Sequence, residues 1–465
     1  MERSQKRKVL GFFQIVMINV IAVDSIRTLP FSAEFGFSLV FYYSIAAIMF
    51  FIPSALVFAE LGTGWPHTGG LYIWIREAFG SKVALVIIWL NWIYNLAWYP
   101  TIMALIAGVS AYLFNPSLAE NKLFIISIIL FLFWIATYLN CHGMRFSSLI
   151  SSLGAIIGTL IPMIFIIFLA GIWIYQGNVS QIGFTWNEFF PETHESDKLG
   201  FFSNVLFGLI GLEMVATHAA EMKNPQKDYP KALLVSAIII LTSIVLSSLA
   251  IAIVVPSKNL SLVTGILQAF SIFLNKFNLS FFIPIVALFI ILGSLANVSA
   301  WIIGPTKGIM VAGQDGSLPE IFTKTNKHGV PTGALFLQAI IVSILSLSFV
   351  FMPTVNASFW LLSIITAQLA MIVYAVLFSA AIKLHHHKSE VKRHFKVPFG
   401  DVGIWITAIF GIIVCGFAII VGFIPPKKFL ITNIFVYELS LILGMLFLSS
   451  IPLFLYHFTN RTKKT

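Results

Sequence analysis

Charge is scarce in this chain: Asp, Glu, Lys and Arg make up only 10% of its 465 residues, against about 25% in an ordinary soluble domain. Cysteine is scarcer still. Cys141 and Cys415 stand alone and far apart, which excludes a disulfide framework and a cysteine-based metal motif. The sequence lacks G-x-x-x-x-G-K-[ST], H-E-x-x-H and a nucleophile elbow, so it offers no sign of an ATP-driven or catalytic unit. No cofactor is expected. No polar stretch is long enough for a sizeable soluble domain. The opening MERSQKRK leads into a full-length apolar run without a small-residue cleavage signal, so the first span is expected to be retained.

What the chain has instead is apolar length, with 58% hydrophobic residues and a mean hydropathy of +0.95. That composition describes a polytopic membrane protein whose main partner is the lipid bilayer. At about 20 residues per crossing, twelve segments can be read, over roughly 9–31, 37–61, 83–114, 122–141, 149–175, 200–220, 231–255, 279–303, 333–352, 357–384, 403–424 and 434–458. Twelve crossings put both termini on one side. Placing them in the cytoplasm puts 21 Lys and Arg residues inside, 6 outside and Arg27 within the membrane, accounting for all 28. The longest outside loop, 176–199, carries Glu188, Glu192, Glu195 and Asp197. This asymmetry fits the positive-inside rule. It also explains the net charge of +10 without a nucleic-acid partner.

Charge inside a span is the next signal. The first segment contains VIAVDSIRTLPFSAEFG, with Asp24 and Arg27 deep in an apolar run. Each such group costs roughly 2.5–3.5 kcal/mol on insertion scales and usually faces protein, a partner charge or water. Pro30 is expected to interrupt the helix nearby, since it lacks an N–H and its ring clashes with the preceding turn. Spaced one turn apart, Asp24 and Arg27 could also simply neutralise each other. The sixth segment, SNVLFGLIGLEMVATHAAEM, is the counterpart: Gly208 and Gly211 weaken it beside Glu213, and His218 and Glu221 follow. Two interrupted, charged segments five spans apart suggest two five-helix halves of opposite orientation. Helix ends exposed at such breaks suit a zwitterion, N–H groups meeting a carboxylate and carbonyls an ammonium.

Other features are weaker. Trp92, Tyr94 and Trp98 lie mid-segment, where they face either a solute pathway or packed neighbours, whereas Trp173 and Tyr175 suit an interfacial belt. Segment 8 carries Ser294, Asn297, Ser299 and Trp301, which serve equally as helix–helix contacts or as a pathway wall. Glu60 ends segment 2 and is expected to cap an inner gate network. His385 to His387 lack accompanying ligands and read as a solvated loop next to the membrane. No metal site is expected.

Three stretches, AELGTGWPHTGGLYIWIREAFG, EMKNPQKDYPKA and GPTKGIMVAGQDGSLPEIFTKTNKHGVP, together with Gly211, Glu213, Ala216, Thr217, His218, Glu221 and Met222, resemble the amino acid–polyamine–organocation transporter superfamily. The similarity is to its bacterial glutamate/GABA antiporter branch and extends over nearly the whole chain. It implies an all-α fold of about 12 transmembrane helices in one domain, over 1–465. Helices 1 and 6 would be broken in an inverted five-plus-five repeat (about 9–175 and 200–384), with two peripheral helices at about 403–458. It also implies a bacterial inner-membrane location and a secondary transporter, an antiporter exchanging amino acids by alternating access. The substrate would sit around Ala22, Val23, Asp24, Ser25, Ile26 and Arg27 and around Gly208, Leu209 and Gly211, flanked by Trp98, Asn297 and Trp301. Coupling or gating would fall to Glu60, Glu213, His218 and Glu221, with a proton as a possible second partner.

The chain departs from that pattern in three places. Its first break is about three residues longer and adds Arg27, and Leu209 stands where an aromatic is expected. It also ends at Thr465, without the long tail that plugs the path in the acid-resistance antiporter. A neutral amino acid or amine carrier without proton coupling, and a non-transporting membrane sensor, remain open alternatives on the sequence.

Overall fold

A bilayer offers the backbone no water to bond, so each long apolar run satisfies its own N–H and C=O groups as a helix. The computed structural model describes residues 11–66, 69–142, 154, 156–191, 198–213, 225–327, 329–429 and 434–462, and those residues form helices and no strands. Among the described residues, eleven helices are long and apolar enough to cross a membrane. They are helices 1 (Phe12–Ala33), 2 (Gly36–Gly64), 3 (Ser81–Ala111), 4 (Lys122–Cys141), 5 (Ile156–Tyr175), 7 (Pro230–Val254), 8 (Ser280–Gln314), 9 (Thr332–Phe351), 10 (Val355–His387), 11 (Gly400–Val421) and 12 (Ile434–His457). The sixth expected segment begins as the short helix 6 (Gly200–Phe207), and its continuation from 214 lies outside the described residues. This is an all-α, multi-pass membrane protein.

Helix 3 lies at the centre, packed against helices 8 and 10, while helix 1 packs on helix 7 and helix 6 on helix 10. Helices 5 and 8 approach so closely that a Cβ on Gly158 would lie 2.3 Å from Gly293 Cα. Small residues commonly permit such approach where lipid supplies no hydrophobic drive between helices. Helix 12 keeps only 12% of its apolar window buried, in line with a peripheral position.

Two short helices were not visible as such in the sequence reading. Gly70–Phe79 joins helices 2 and 3, and Gly265–Lys276 joins helices 7 and 8. Each buries one stripe, Leu71, Trp74, Ile75 and Ala78 in the first and Ile266, Phe270, Phe273 and Leu274 in the second. They lie five helices apart in chain order, at opposite ends of their spans.

Two expectations are corrected here. His385 to His387 are not a loop, because they complete the last turn of helix 10; His386 and His387 are exposed there, while the His385 side chain is only 9% exposed. Pro30 does not break helix 1. The helix stops at Val23, Asp24 and Ser25 are extended, a 3-10 turn follows over Ile26–Thr28, and Pro30 sits in the first turn of the restarted Leu29–Ala33 helix. Proline is well tolerated there, where its missing N–H would have no partner in any case.

Because Gly158 and Gly293 meet backbone to backbone, Gly158→Val should cost about 1–3 kcal/mol by overpacking. The expected readout is a lower unfolding temperature in detergent, and an unchanged value would show that helices 5 and 8 do not pack as described.

Candidate functional site

The break in helix 1 and the end of helix 6 face each other. Gly211 adopts φ +130°, a conformation that L side chains rarely adopt, and a Cβ there would lie 2.7 Å from the Ala22 carbonyl oxygen. Asn297 of helix 8 donates its side-chain N–H to the Ile21 carbonyl at 3.3 Å, so helix 8 bonds helix 1 just before its break. Around these ends lies a cavity of about 40 Å³. On this measure a water needs about 10–15 Å³, so the space holds a few waters and no amino acid.

Of the residues expected at the site, Ala22, Val23, Ser25, Arg27, Gly208, Trp98, Asn297 and Trp301 all line this cavity. Thr28, Tyr94, Asn95, Phe207 and Ile210 complete its wall. Asp24, Ile26, Leu209 and Gly211 do not line it. Ile26 and Leu209 are packed in the core, and Gly211 holds helix 6 against Ala22. Trp92 also points elsewhere, donating to Gln338 at 3.0 Å and packing on Trp89 and Phe322.

Asp24 and Arg27 do not neutralise each other. Asp24 accepts a hydrogen bond from Ser243 of helix 7 at 2.7 Å, and its Oδ1 has no partner among the described residues. Arg27 is 1% exposed and donates through Nη1 to Thr101 of helix 3 at 3.4 Å and to Ser363 of helix 10 at 3.2 Å. Its Nε and Nη2 have no hydrogen-bond partner among the described residues. The guanidinium lies over the Phe207 ring at 5.2 Å, with Phe31 at 5.9 Å and Phe359 at 6.0 Å. A desolvated ring contributes about 2 kcal/mol or more, which works against the burial cost without neutralising the charge. Arg27 therefore presents spare N–H donors at a cavity and has no carboxylate against it among the described residues.

Glu213 accepts hydrogen bonds from Tyr374 of helix 10 and from the Gly211 N–H. Its carboxylate thereby closes over the end of helix 6. Nothing local points to the tyrosine, which lies 161 positions away. His218 and Glu221 lie outside the described residues.

Glu60, 2% exposed, centres a second cluster. One carboxylate oxygen takes Arg393 Nη1 at 2.7 Å and faces His385 Nδ1 at 2.7 Å. The other takes the Val397 N–H at 2.8 Å. Arg393 also donates to the Leu384 and Lys388 carbonyls at 2.6 and 2.7 Å, while Asp401 lies 3.1 Å from His385 Nε2. This arrangement pins the connection between helices 10 and 11 to the end of helix 2. Arg393 and Asp401 were missed in sequence because nothing local pairs them with Glu60. Nearby, Arg76 and Tyr72 both donate to Asp315 at 2.8 Å.

The profile of the Amino acid permease family matches residues 10–448. The chain is 50% identical over 451 residues to an uncharacterized transporter of Legionella pneumophila, covering 97% of each. It is 28% identical to a glutamate/gamma-aminobutyrate antiporter of Lactococcus lactis, covering 97% of this chain and 90% of the relative. It is also 25% identical to a probable agmatine/putrescine antiporter of the same organism, over 79% of this chain and 78% of the relative.

Removing one partner of a buried ion pair leaves a charge uncompensated and costs about 3–5 kcal/mol. Arg393→Ala should therefore lower the unfolding temperature sharply, and Glu60→Gln combined with Arg393→Met should recover part of the loss. Equal unfolding temperatures for the single variant and the unsubstituted protein would rule out a buried pair.

Proposed function

The chain belongs to the amino acid permease family, and from that premise we propose that this transporter exchanges amino acids across a bacterial inner membrane by alternating access. The observation that carries the proposal is Arg27, a buried cation with spare donors at a cavity between two helix breaks. The substrate α-carboxylate meets the backbone around Ala22 to Ile26 and Gly208 to Gly211, and Arg27 receives a second anionic group on the side chain. Trp98 and Trp301, with ring centres 6.1 Å apart, form one wall. Asn297 fixes the carbonyl side of the helix 1 break. In this reading both termini lie in the cytoplasm, on the side that carries most of the Lys and Arg residues.

The 40 Å³ cavity is a contracted form of the site. Loading requires the second half of helix 1 and helix 6 to move apart from helices 3, 8 and 10. In this reading Asp24 and Glu213 couple that movement to a proton. Both are buried at a break, and each is held by hydroxyl or backbone donors. The antiporter relatives favour exchange. A second reading, an amine carrier without proton coupling, is favoured by the agmatine/putrescine relative and disfavoured by a cation on the cavity wall.

The test is counterflow of labelled glutamate into proteoliposomes preloaded with unlabelled amino acids, at pH 5 and pH 7. Uptake should exceed that of empty vesicles, with acidic amino acids competing best. A full amino acid panel without uptake at either pH would overturn the proposal, and competition by amines alone would favour the second reading. A hydrogen bond to a charged group contributes about 1.5–3 kcal/mol. Arg27→Gln should thus weaken acidic substrates roughly tenfold or more while leaving neutral ones nearly unchanged.

A further inference from the structure

Above the cavity, on the face away from the termini, Glu34 caps the end of the second half of helix 1. This carboxylate is 1% exposed, yet it belongs to no part of the site just described. It accepts from Ser257, in the connection between helices 7 and 8, at 2.6 Å. It also accepts from Lys428, in the connection between helices 11 and 12. Lys428 donates further to the Leu260 carbonyl at 3.2 Å. The same ammonium lies 5.8 Å from the ring centre of Phe201 on helix 6 and 5.5 Å from that of Phe429.

The rings under Lys428 form the roof of the site. Phe31, one turn beyond Arg27, stacks on Phe359 at 5.6 Å and contacts Phe201 at 6.2 Å. Phe201 packs edge-on against Trp360 at 5.1 Å, and Trp360 stacks on Phe429 at 5.8 Å. Lys428 thus touches both outer half-helices, helix 1 through Glu34 and helix 6 through Phe201, from a connection outside the two repeats. On either side of the pair lie two pits. One of about 220 Å³ is lined by Glu34, Glu188, Lys198 and Ser257, and the other, of about 760 Å³, by Lys258, Asn356 and Lys428. The ion pair stands in the partition between them.

We propose that Glu34 and Lys428 form a latch that holds the outer halves of helices 1 and 6 over the site, so that outward opening requires this buried pair to separate. The inference rests on the alternating-access reading above and adds its outer gate. The latch fastens the moving half-helices to a peripheral connection, which gives the two helices beyond the repeats a role in gating.

The charge logic makes the latch testable through pH. Three charged groups bear on Glu34 or share its pit. Lys428 lies against it, Lys198 lies on the approach to helix 6, and Glu188 is tied back to Thr185 and to the Gly183 N–H. Burial raises the Glu34 carboxyl above the usual carboxylate range, and Lys428 works against that rise. Without the ammonium, an ionised Glu34 is stable only in water, so the gate opens. In mild acid the same carboxyl takes up a proton, can stay buried without a partner, and lets the gate close again.

The experiment places a reporter, Ser25→Cys, at the cavity in a Cys141→Ala, Cys415→Ala background. Its labelling by a membrane-impermeant thiol reagent is followed in right-side-out and inside-out vesicles, without any transported substrate. Lys428→Met should raise the labelling rate about tenfold at pH 8 and lose most of that increase at pH 5. Adding Glu34→Gln to Lys428→Met should return the rate to within about twofold of the reporter alone at both pH values. Lys258→Met, a lysine in the same pit but away from Glu34, should change nothing. A rise in either vesicle orientation supports the latch, and the orientation that shows it tests which face lies outside. Equal labelling with and without Lys428→Met at pH 8, or an increase that persists after Glu34→Gln, would overturn it. Neither result depends on which amino acid is carried, so the latch can fail while the transport proposal stands.

Discussion

A guanidinium in the middle of a membrane protein must be held by something, and at Arg27 the holders are hydroxyls and rings. Thr101 and Ser363 each take a hydrogen bond from one nitrogen, and Phe207 presents its π face. These contacts keep the cation in place without neutralising it. The break at Asp24 and Ser25 lets helix 1 turn its Arg27 side inward. Helices 3 and 10 supply the hydroxyls, and helix 6 supplies the ring. The centre of the molecule is arranged to tolerate a charge that stays unmatched.

The two ends of the bundle treat charge differently. At the end of helix 2, Glu60 takes donors from Arg393, His385 and Val397, and the carboxylate is fully engaged. At the opposite face Glu34 is held by Ser257 and Lys428. Buried pairs of this kind add little net stability but are costly to break from one side, which suits them to fixing one arrangement against another. In the proposed reading, charge is matched where helices must be locked and left unmatched where a ligand completes the set.

Much of the fold was legible along the chain because a span is a local property. Twenty apolar residues in a row, a basic loop and an acidic loop need no knowledge of neighbours. The breaks were legible for a related reason: Asp24, Arg27 and Glu213 stand out against apolar surroundings, and Gly208 and Gly211 mark weakened helix. The cause of the first break is not legible in the same way, since Pro30 suggests an interruption but in fact begins the next helical turn. The amphipathic helices at 70–79 and 265–276 escaped because each is shorter than a crossing and buries only one stripe.

The sequence alone thus determined that this is a many-helix membrane protein with two interrupted, charged segments five spans apart. Hydropathy and buried charge are read residue by residue, without reference to the rest of the chain. Only the tertiary structure decided which charge met which partner. Asp24 turned to Ser243 rather than to Arg27, Glu213 found Tyr374, Glu60 found Arg393, and Glu34 found Lys428 from 394 positions away. Such partners are set by how helices pack in three dimensions, and a low-dielectric interior makes each choice of neighbour count.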